Sequence, residues 1–315
     1  MITVHMMGNI GNQLFIYAFA RTLQLEYKQP LLIDLKGLKR GYYSANYKLD
    51  QFALSDDIVY GIENLGFFSK LYYQISSKIY HLQHYYYRYR KHQMFHPEGI
   101  CRRWYKRGCY YNTNHDYFEY GKEYHKNKYV YGYFQCEKYW RKYEKEIRKN
   151  LRVTTPMTDY EKDIIAKMQS ENSCAISIRA SKAFDNPKVT DNLNLGFIDK
   201  DFYYRGMEEI AKRVKNPTFY IFADDMEIVK NEYKFPYPVT YVTPPDSATG
   251  IRLMYSCKHF IITNSTFAWW GAYLGEDPNK IVVMSDVWDR FGPLRNEIYD
   301  GFNNPIKLSV KFLTE

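Results

Sequence analysis

Apolar residues in this chain come in short runs. Each run stops at turn-forming residues before a stretch with helical spacing begins. Ile2 to Met6 is the first such run and reads as a strand, cut off by Gly8. Gln13 to Tyr27 then predicts a helix, with Leu14, Ala18 and Leu25 among the apolar residues on its buried side. Leu31 to Asp34 reads as the next strand. Residues from about 60 to 128 are less regular, basic, tyrosine-rich and poor in carboxylates, and they predict helices and loops inserted in a first domain. Tyr131 to Gln135 predicts a short strand and Glu137 to Asn150 a charged helix. From about residue 158 the alternation is regular. Strands are expected at Cys174 to Ile178, Thr218 to Ala223, Val239 to Val242, His259 to Thr263 and Lys280 to Met284. Helices are expected at Lys200 to Val214, Asp225 to Tyr233, Ala248 to Cys257 and Ser265 to Leu274. Strand alternating with helix predicts a parallel, doubly wound sheet. With Pro156 as a break, the expectation is two α/β domains, 1–155 and 156–315.

In doubly wound sheets ligands bind outside the carboxyl ends of the strands, so the residues just past each strand are the candidates. Two turns there are rich in Gly, Asn, Ser and Thr. Gly8-Asn9-Ile10-Gly11-Asn12-Gln13 follows the first strand, and Asn264-Ser265-Thr266 follows the strand ending at Ile262. Such turns offer backbone N–H groups and hydroxyls at the positive end of a helix dipole, a setting that binds phosphate. Arg179 stands past Cys174 to Ile178, where its planar fork could grip a phosphate; the alternative is a surface ion pair. Asp224 and Asp225 stand past the strand ending at Ala223. One could accept from a base or ribose while the other caps the next helix, and which does which is open. For Ser265 and Thr266 the alternative is an ordinary helix cap, and Phe267 to Gly271 reads as core packing. The first turn is neither a dinucleotide fingerprint nor a P-loop, so NAD and ATP are not favoured.

Composition narrows the setting. No apolar stretch approaches the roughly 20 residues of a membrane span. The N-terminus lacks the basic region of a signal peptide. The five cysteines show neither metal-ligand spacing nor a disulfide framework, which points to a reducing cytosol. Lysine and arginine number 44 against 35 acidic residues, a net charge of +9, and there are 34 tyrosines. Tyr85 to Lys91 and Arg102 to Arg107 interleave rings with cations, which suits a membrane interface, a sugar platform or stacked bases. Segment 66 to 110 could therefore hold the chain at an anionic membrane, on the inner face, or wall an acceptor. Nucleic acid is not among the expected partners; a basic nucleic-acid-binding protein, motivated by the charge and the Arg/Tyr run, stands as an alternative that leaves the two turns unexplained.

Four segments together resemble glycosyltransferase family 11, the α-1,2-fucosyltransferases. These are Gly8 to Arg21, Tyr131 to Trp140, Phe222 to Asp225 and, most specifically, Cys257 to Leu274. The resemblance spans the chain in order, leaving out 60 to 128 and the tail after about 290. It implies a GT-B fold, two Rossmann-like domains facing a central cleft. The N-terminal domain would serve the acceptor and the C-terminal one GDP-fucose. It also implies inverting, metal-independent transfer to a glycan hydroxyl, O2 of a terminal galactose, with no cofactor. On it, donor contacts fall to Gly8, Asn9, Gly11, Asn12, Gln13, Ser177, Arg179, Asp224, Asp225, Asn264, Ser265 and Thr266, with Arg179 catalytic. One motif departs. The family's His-x-Arg-Arg-Gly-Asp reads here Ser177-Ile178-Arg179-Ala180-Ser181-Lys182, so only the first arginine is kept. That departure motivates two alternatives, a different nucleotide sugar and a catalytically inactive glycan-binding homologue. No general base is singled out; Asp185, Asp191 and His5 are read as structural.

Overall fold

The computed structural model describes residues 1–39, 46–87, 98–113, 117–122, 124–180, 196–289 and 296–312. The chain divides into two compact units, Met1–Leu151 and Arg152–Glu315.

The first unit runs β1 (Ile2–His5), α1 (Ile10–Tyr27), β2 (Leu31–Asp34), β3 (Ile58–Tyr60), α2 (Phe67–Tyr85), α3 (Glu98–Tyr105), β4 (Cys109–Asn112), β5 (Lys128–Gly132) and α4 (Glu144–Asn150). Its sheet has the order β3-β2-β1-β5-β4, parallel at every pairing. The strands are continuous apolar runs because helices cover both faces of a parallel sheet. Helix α1 is buried nearly all round, from Leu14 to Ala20 and again at Thr22 to Gln24. Much of the tyrosine content is core. Tyr73, Tyr80, Tyr110, Tyr111 and Tyr129 are buried, with Tyr73 stacked on Tyr129 at 5.7 Å. Rings and cations of the basic segment therefore part company: Trp104 donates its indole N–H to Gln83, while Arg102, Arg103, Lys106 and Arg107 stay in solvent. Residues 88–97 of that segment lie outside the described residues.

Two expectations are corrected here. The mid-chain strand is Lys128–Gly132, so Tyr133 to Gln135 lie past its end. The apolar, tyrosine-rich run from 129 to 134 carries no end signal except Gly132, where a Cβ would meet the Asn112 carbonyl oxygen, and Phe134 then turns into the left-handed region at φ 52°. Glu137 to Asn150 is not one helix. It is two single 3-10 turns, Glu137–Tyr139 and Arg141–Tyr143, followed by α4. The break falls at Trp140, which is fully buried against Phe15 at 5.6 Å. Anchoring that indole outweighs the local helical tendency of the charged residues around it.

The second unit runs α5 (Asp159–Ser170), β6 (Asn172–Ile178), α6 (Lys200–Ala211), β7 (Pro217–Ala223), α7 (Met226–Glu232), β8 (Val239–Tyr241), α8 (Ser247–Tyr255), β9 (His259–Ile262), α9 (Thr266–Leu274), β10 (Val282–Ser285) and β11 (Ile306–Leu308). Its sheet is again parallel, ordered β11-β10-β9-β6-β7-β8. Helix α9 is core, as its sequence predicts. Trp269 and Trp270 are fully buried, and Trp269 stacks on Tyr273 at 4.7 Å. Gly271 lets α9 press on α8, since a Cβ there would run into the Met254 side chain.

Each unit thus repeats one doubly wound, Rossmann-like plan. In the first, the chain builds outward from β1 through β2 and β3, then returns on the other side with β4 and β5. In the second it goes from β6 through β7 and β8, then returns with β9 to β11. The order therefore reverses beside β1 and beside β6, and a crevice opens at such a reversal.

Candidate functional site

In the second unit the reversal lies between β6 and β9, which pair through Cys174, Ala175 and Ile176. Arg179 leaves the carboxyl end of β6, half-buried, with its guanidinium 6.0 Å from the Phe197 ring centre. On one side β7 ends opposite Ile178 and delivers Asp224. On the other β9 delivers Asn264, Ser265 and Thr266 at the start of α9. Asp224 is exposed as a residue, but partial desolvation of its carboxyl raises it above its ordinary value, and the Arg179 charge opposes that rise, so the two side chains share a field. Tyr203 beneath them has its hydroxyl pushed up to about 12 by burial, opposed by Thr263 and by Arg179.

The aspartate pair divides by role. Asp225 is the N-cap of α7, its Oδ1 accepting from the amides of Glu227 and Ile228 at 3.1 and 3.2 Å. Asp224 is the member that faces Arg179. Ser265 caps α9, but its Oγ is a full 3.5 Å from the Ala268 amide. The first-turn amides of a helix have no intrahelical acceptor, so this end presents donors toward the Arg179 side. Asn264 is buried, while Ser265 and Thr266 are half-buried. Ser177 is buried within β6 opposite Phe222. Ala180, where the family motif has its second arginine, is buried in the apolar core with Ile198 and Phe202. A guanidinium at that position would enter apolar surroundings. Lys182, Asp185 and Asp191 lie outside the described residues.

In the first unit the reversal lies between β1 and β5. The helix begins earlier than its apolar spacing predicts, with Asn9 as N-cap, so Gly11, Asn12 and Gln13 form its first turn. Asn9 is exposed and makes no capping bond through its side chain. Gly8 has φ 74°, and a Cβ there would stand 2.6 Å from the Asn12 amide nitrogen, so only glycine fits this bend. Gln13 is fully buried. Its amide donates to the carbonyls of Gly8 and Asn46 and accepts from the Lys48 amide. Those bonds make Gln13 a strut of the loop. Asn12 accepts from Gln135 at 2.9 Å, which ties the first-turn motif to the mid-chain motif across the reversal.

One cluster here escaped the sequence reading. His5 ends β1 with its Nδ1 3.3 Å from Asp34 at the end of β2 and 3.2 Å from the Tyr73 hydroxyl. Tyr73 donates to the same Asp34 oxygen at 2.8 Å. The imidazole lies over Tyr131 of β5 at 4.9 Å, and the Tyr131 hydroxyl meets His81 of α2 at 2.6 Å. The hydrogen-bonding partners of His5 are 29 and 68 residues away in sequence and Tyr131 is farther still, so spacing carries no trace of them. The available signal was the place of His5, Asp34 and Tyr131 at strand carboxyl ends, while Tyr73 and His81 reach them from α2.

Burial by itself would raise the Asp34 carboxyl, but hydrogen bonds from His5, the Lys36 amide and Tyr73 outweigh it and hold the group below its usual value. A carboxyl lowered on folding stabilises fully above its unfolded pKa of about 3.9, and loses that contribution as pH falls through the folded value. Asp34→Asn is therefore expected to cost about 1–3 kcal/mol at neutral pH and to flatten the acid limb of the stability profile. Urea unfolding at stepped pH reads both; an acid limb as steep as wild type would remove Asp34 from the account.

The family model described as glycosyl transferase family 11 matches residues 1–291. The alpha-1,2-colitosyltransferase of Escherichia coli is 22% identical over 294 residues, 91% of this chain and 92% of that protein. The O-antigen biosynthesis glycosyltransferase WbnK of Escherichia coli is 30% identical over 124 residues, 38% of this chain and 40% of that protein. Among solved structures, the fucosyltransferase NodZ from Bradyrhizobium aligns with a TM-score of 0.45 at 13% identity, over 86% of this chain and 91% of that one. A family 9 glycosyl transferase from Veillonella parvula aligns with a TM-score of 0.46 at 10% identity, over 100% of this chain and 88% of that one.

Proposed function

The chain belongs to glycosyl transferase family 11, and from that premise we propose that it moves L-fucose from GDP-fucose to a hydroxyl of a glycan acceptor, with inversion and without a metal. The acceptor hydroxyl on this reading is O2 of a terminal galactose. The observation that carries the donor half is the reversal beside β6, where Arg179, Asp224 and the first turn of α9 converge.

Glycosyl transfer passes through an oxocarbenium-like transition state. As the sugar–oxygen bond breaks, negative charge grows on the β-phosphate of the leaving GDP. Groups that bind this charge more tightly than the ground state lower the barrier. Arg179 has the fork for it, and Ser265, Thr266 and the α9 amides add dipoles of the right sign. Asp224, the uncapped member of its pair, would accept from guanine or ribose. Asp225, Gln13 and Ser177 support the loops and strand that carry the contacts.

A second reading changes the donor sugar. Its support is the buried Ala180 in place of the motif's second arginine, together with a colitosyltransferase as relative. The alpha-1,2 linkage in that relative's name favours the linkage proposed here. All five cysteines are buried free thiols, which supports a reducing, cytoplasmic setting. Among the described residues no helix is long and apolar enough to cross a membrane.

The test is GDP release with purified protein, GDP-fucose and a panel of galactose-terminated acceptors, with EDTA present and other GDP-sugars in parallel. Acceptor-dependent release from GDP-fucose is the expected result. Release from another GDP-sugar alone would select the second reading. GDP that raises the melting temperature without any release would mark an inactive binder, and no GDP effect at all would overturn the proposal.

A further inference from the structure

Helix α2 is apolar over two adjoining faces, and among the described residues the fold covers only one of them. Tyr73, Ser76 and Tyr80 are buried toward the strands, where Ser76 and Tyr111 share a hydrogen bond of 2.8 Å. The neighbouring face carries Phe68, Tyr72, Ile75, Ile79, Leu82 and, one residue past the helix, Tyr86. These positions are spaced four, three, four, three and four apart, so they form one line along the helix. Their exposures are 82%, 39%, 49%, 44%, 69% and 46%. Phe67, next in sequence to Phe68, is 73% exposed. Scattered exposed apolar residues are ordinary, but a contiguous stripe about 28 Å long marks a contact surface.

The charge around the stripe identifies what covers it. Between residues 67 and 113 there are nine lysines and arginines and a single acidic residue, Glu98, so this segment holds nearly all of the chain's net +9. Helix α2 itself contains no carboxylate. Lys78 is exposed on the helix, and Arg103, Lys106 and Arg107 are exposed at the end of α3 and just beyond it. These borders meet the stripe, since the Tyr72 hydroxyl on its edge donates to the Arg107 carbonyl at 3.3 Å. A second copy of the chain would bring the same cations against their own kind. An anionic surface would be attracted by them.

We propose that α2 lies in the plane of an anionic lipid bilayer, its stripe among the acyl chains and its basic border on the headgroups. A helix with an apolar stripe, a cationic border and too little hydrophobicity to span is the form that binds at the interface. Tyrosines along the stripe suit the same depth, an apolar ring below and a hydroxyl at the headgroups. The proposal is independent of the donor reading, because lipid binding is measured without any sugar substrate.

The experiment is co-sedimentation of the full chain with vesicles of phosphatidylcholine alone, and with vesicles containing about 30% phosphatidylglycerol. Wild type is expected to pellet with the anionic vesicles and not with the neutral ones, and to be released by raised salt. Phe68→Glu/Leu82→Glu and Arg103→Glu/Arg107→Glu are each expected to lower binding about tenfold or more. All four positions are exposed, so far-UV circular dichroism and the melting temperature should stay at wild-type values. Pelleting that ignores lipid charge, or pairs of variants that bind as wild type does, would overturn the proposal. So would a dimer in light scattering that Phe68→Glu/Leu82→Glu disperses while vesicles bind nothing.

Discussion

Replacing Arg179 by alanine is expected to lower kcat/KM about 100-fold or more while the fold stays intact. Loss of one preorganised donor to a developing oxyanion costs about 3 kcal/mol or more, and each 1.36 kcal/mol is tenfold in rate. Arg179 sits at the reversal of the second sheet, in the field of Asp224 and beside the first turn of α9. Among the described residues, neither Ala180 nor Asp224 can substitute for it. Ala180 is buried among apolar side chains, and Asp224 carries the opposite charge. The loss should fall on kcat more than on KM if the guanidinium acts on charge that appears only in the transition state. Arg179→Lys should recover part of the rate, because an ammonium keeps the charge but not the planar fork. Steady-state GDP release with both variants reads these quantities, beside a melting curve as control. Alanine turnover within a fewfold of wild type would withdraw Arg179 from the transition state.

The largest stability effect is expected at Arg252, remote from this chemistry. Its guanidinium on α8 is 5% exposed and lies 3.1 Å from Glu161 of α5. It also donates to the carbonyl and hydroxyl of Thr155 at 2.5 and 2.9 Å. Glu161 has a second task, closing a capping box with Thr158 at the start of α5. Arg252→Ala would leave the Glu161 carboxylate buried without its counter-charge, which typically costs about 3–5 kcal/mol. The rule for buried pairs predicts recovery when both charges go together. Arg252→Met with Glu161→Gln keeps a capping partner at the third helical position, since glutamine also serves there, and removes the stranded charge. Denaturant unfolding of the single and double variants separates the two effects. A single variant that loses less than about 1 kcal/mol would mean that Glu161 escapes to solvent.

Most of the second sheet was legible from the chain because its strands are buried on both faces. Apolar runs such as Phe219 to Phe222 and Phe260 to Ile262 then stand out between polar helices. The same logic exposed Arg179, Asp224 and Asn264 to Thr266, since a crevice at strand ends selects residues by order along the chain. Helix α5 was overlooked although Thr158 and Glu161 spell a capping box before Ile164 and Met168. Strands β3, β4 and β11 were overlooked for a different reason. They are three or four residues long, and β4 lies inside a tyrosine-rich stretch with little period. The exposed stripe on α2 was also out of reach, because tyrosines at helical spacing read alike whether a sheet covers them or not.

What the sequence determined by itself was everything that local order can encode. That covers the doubly wound second half, the β-turn-α opening of the first, the two glycine- and hydroxyl-bearing turns, the arginine past β6, and the concentration of positive charge between 67 and 113. Tertiary structure alone decided how equivalent side chains were shared out. Asp225 became a cap and Asp224 a neighbour of Arg179, Gln13 a buried strut and Asn12 a link to Gln135, and His5 the centre of a cluster with Asp34, Tyr73 and Tyr131. The reason is physical. Backbone propensity and apolar period act between residues a few positions apart. A hydrogen bond or ion pair depends on which donor the packed fold brings within about 3 Å, however far away it lies in the chain.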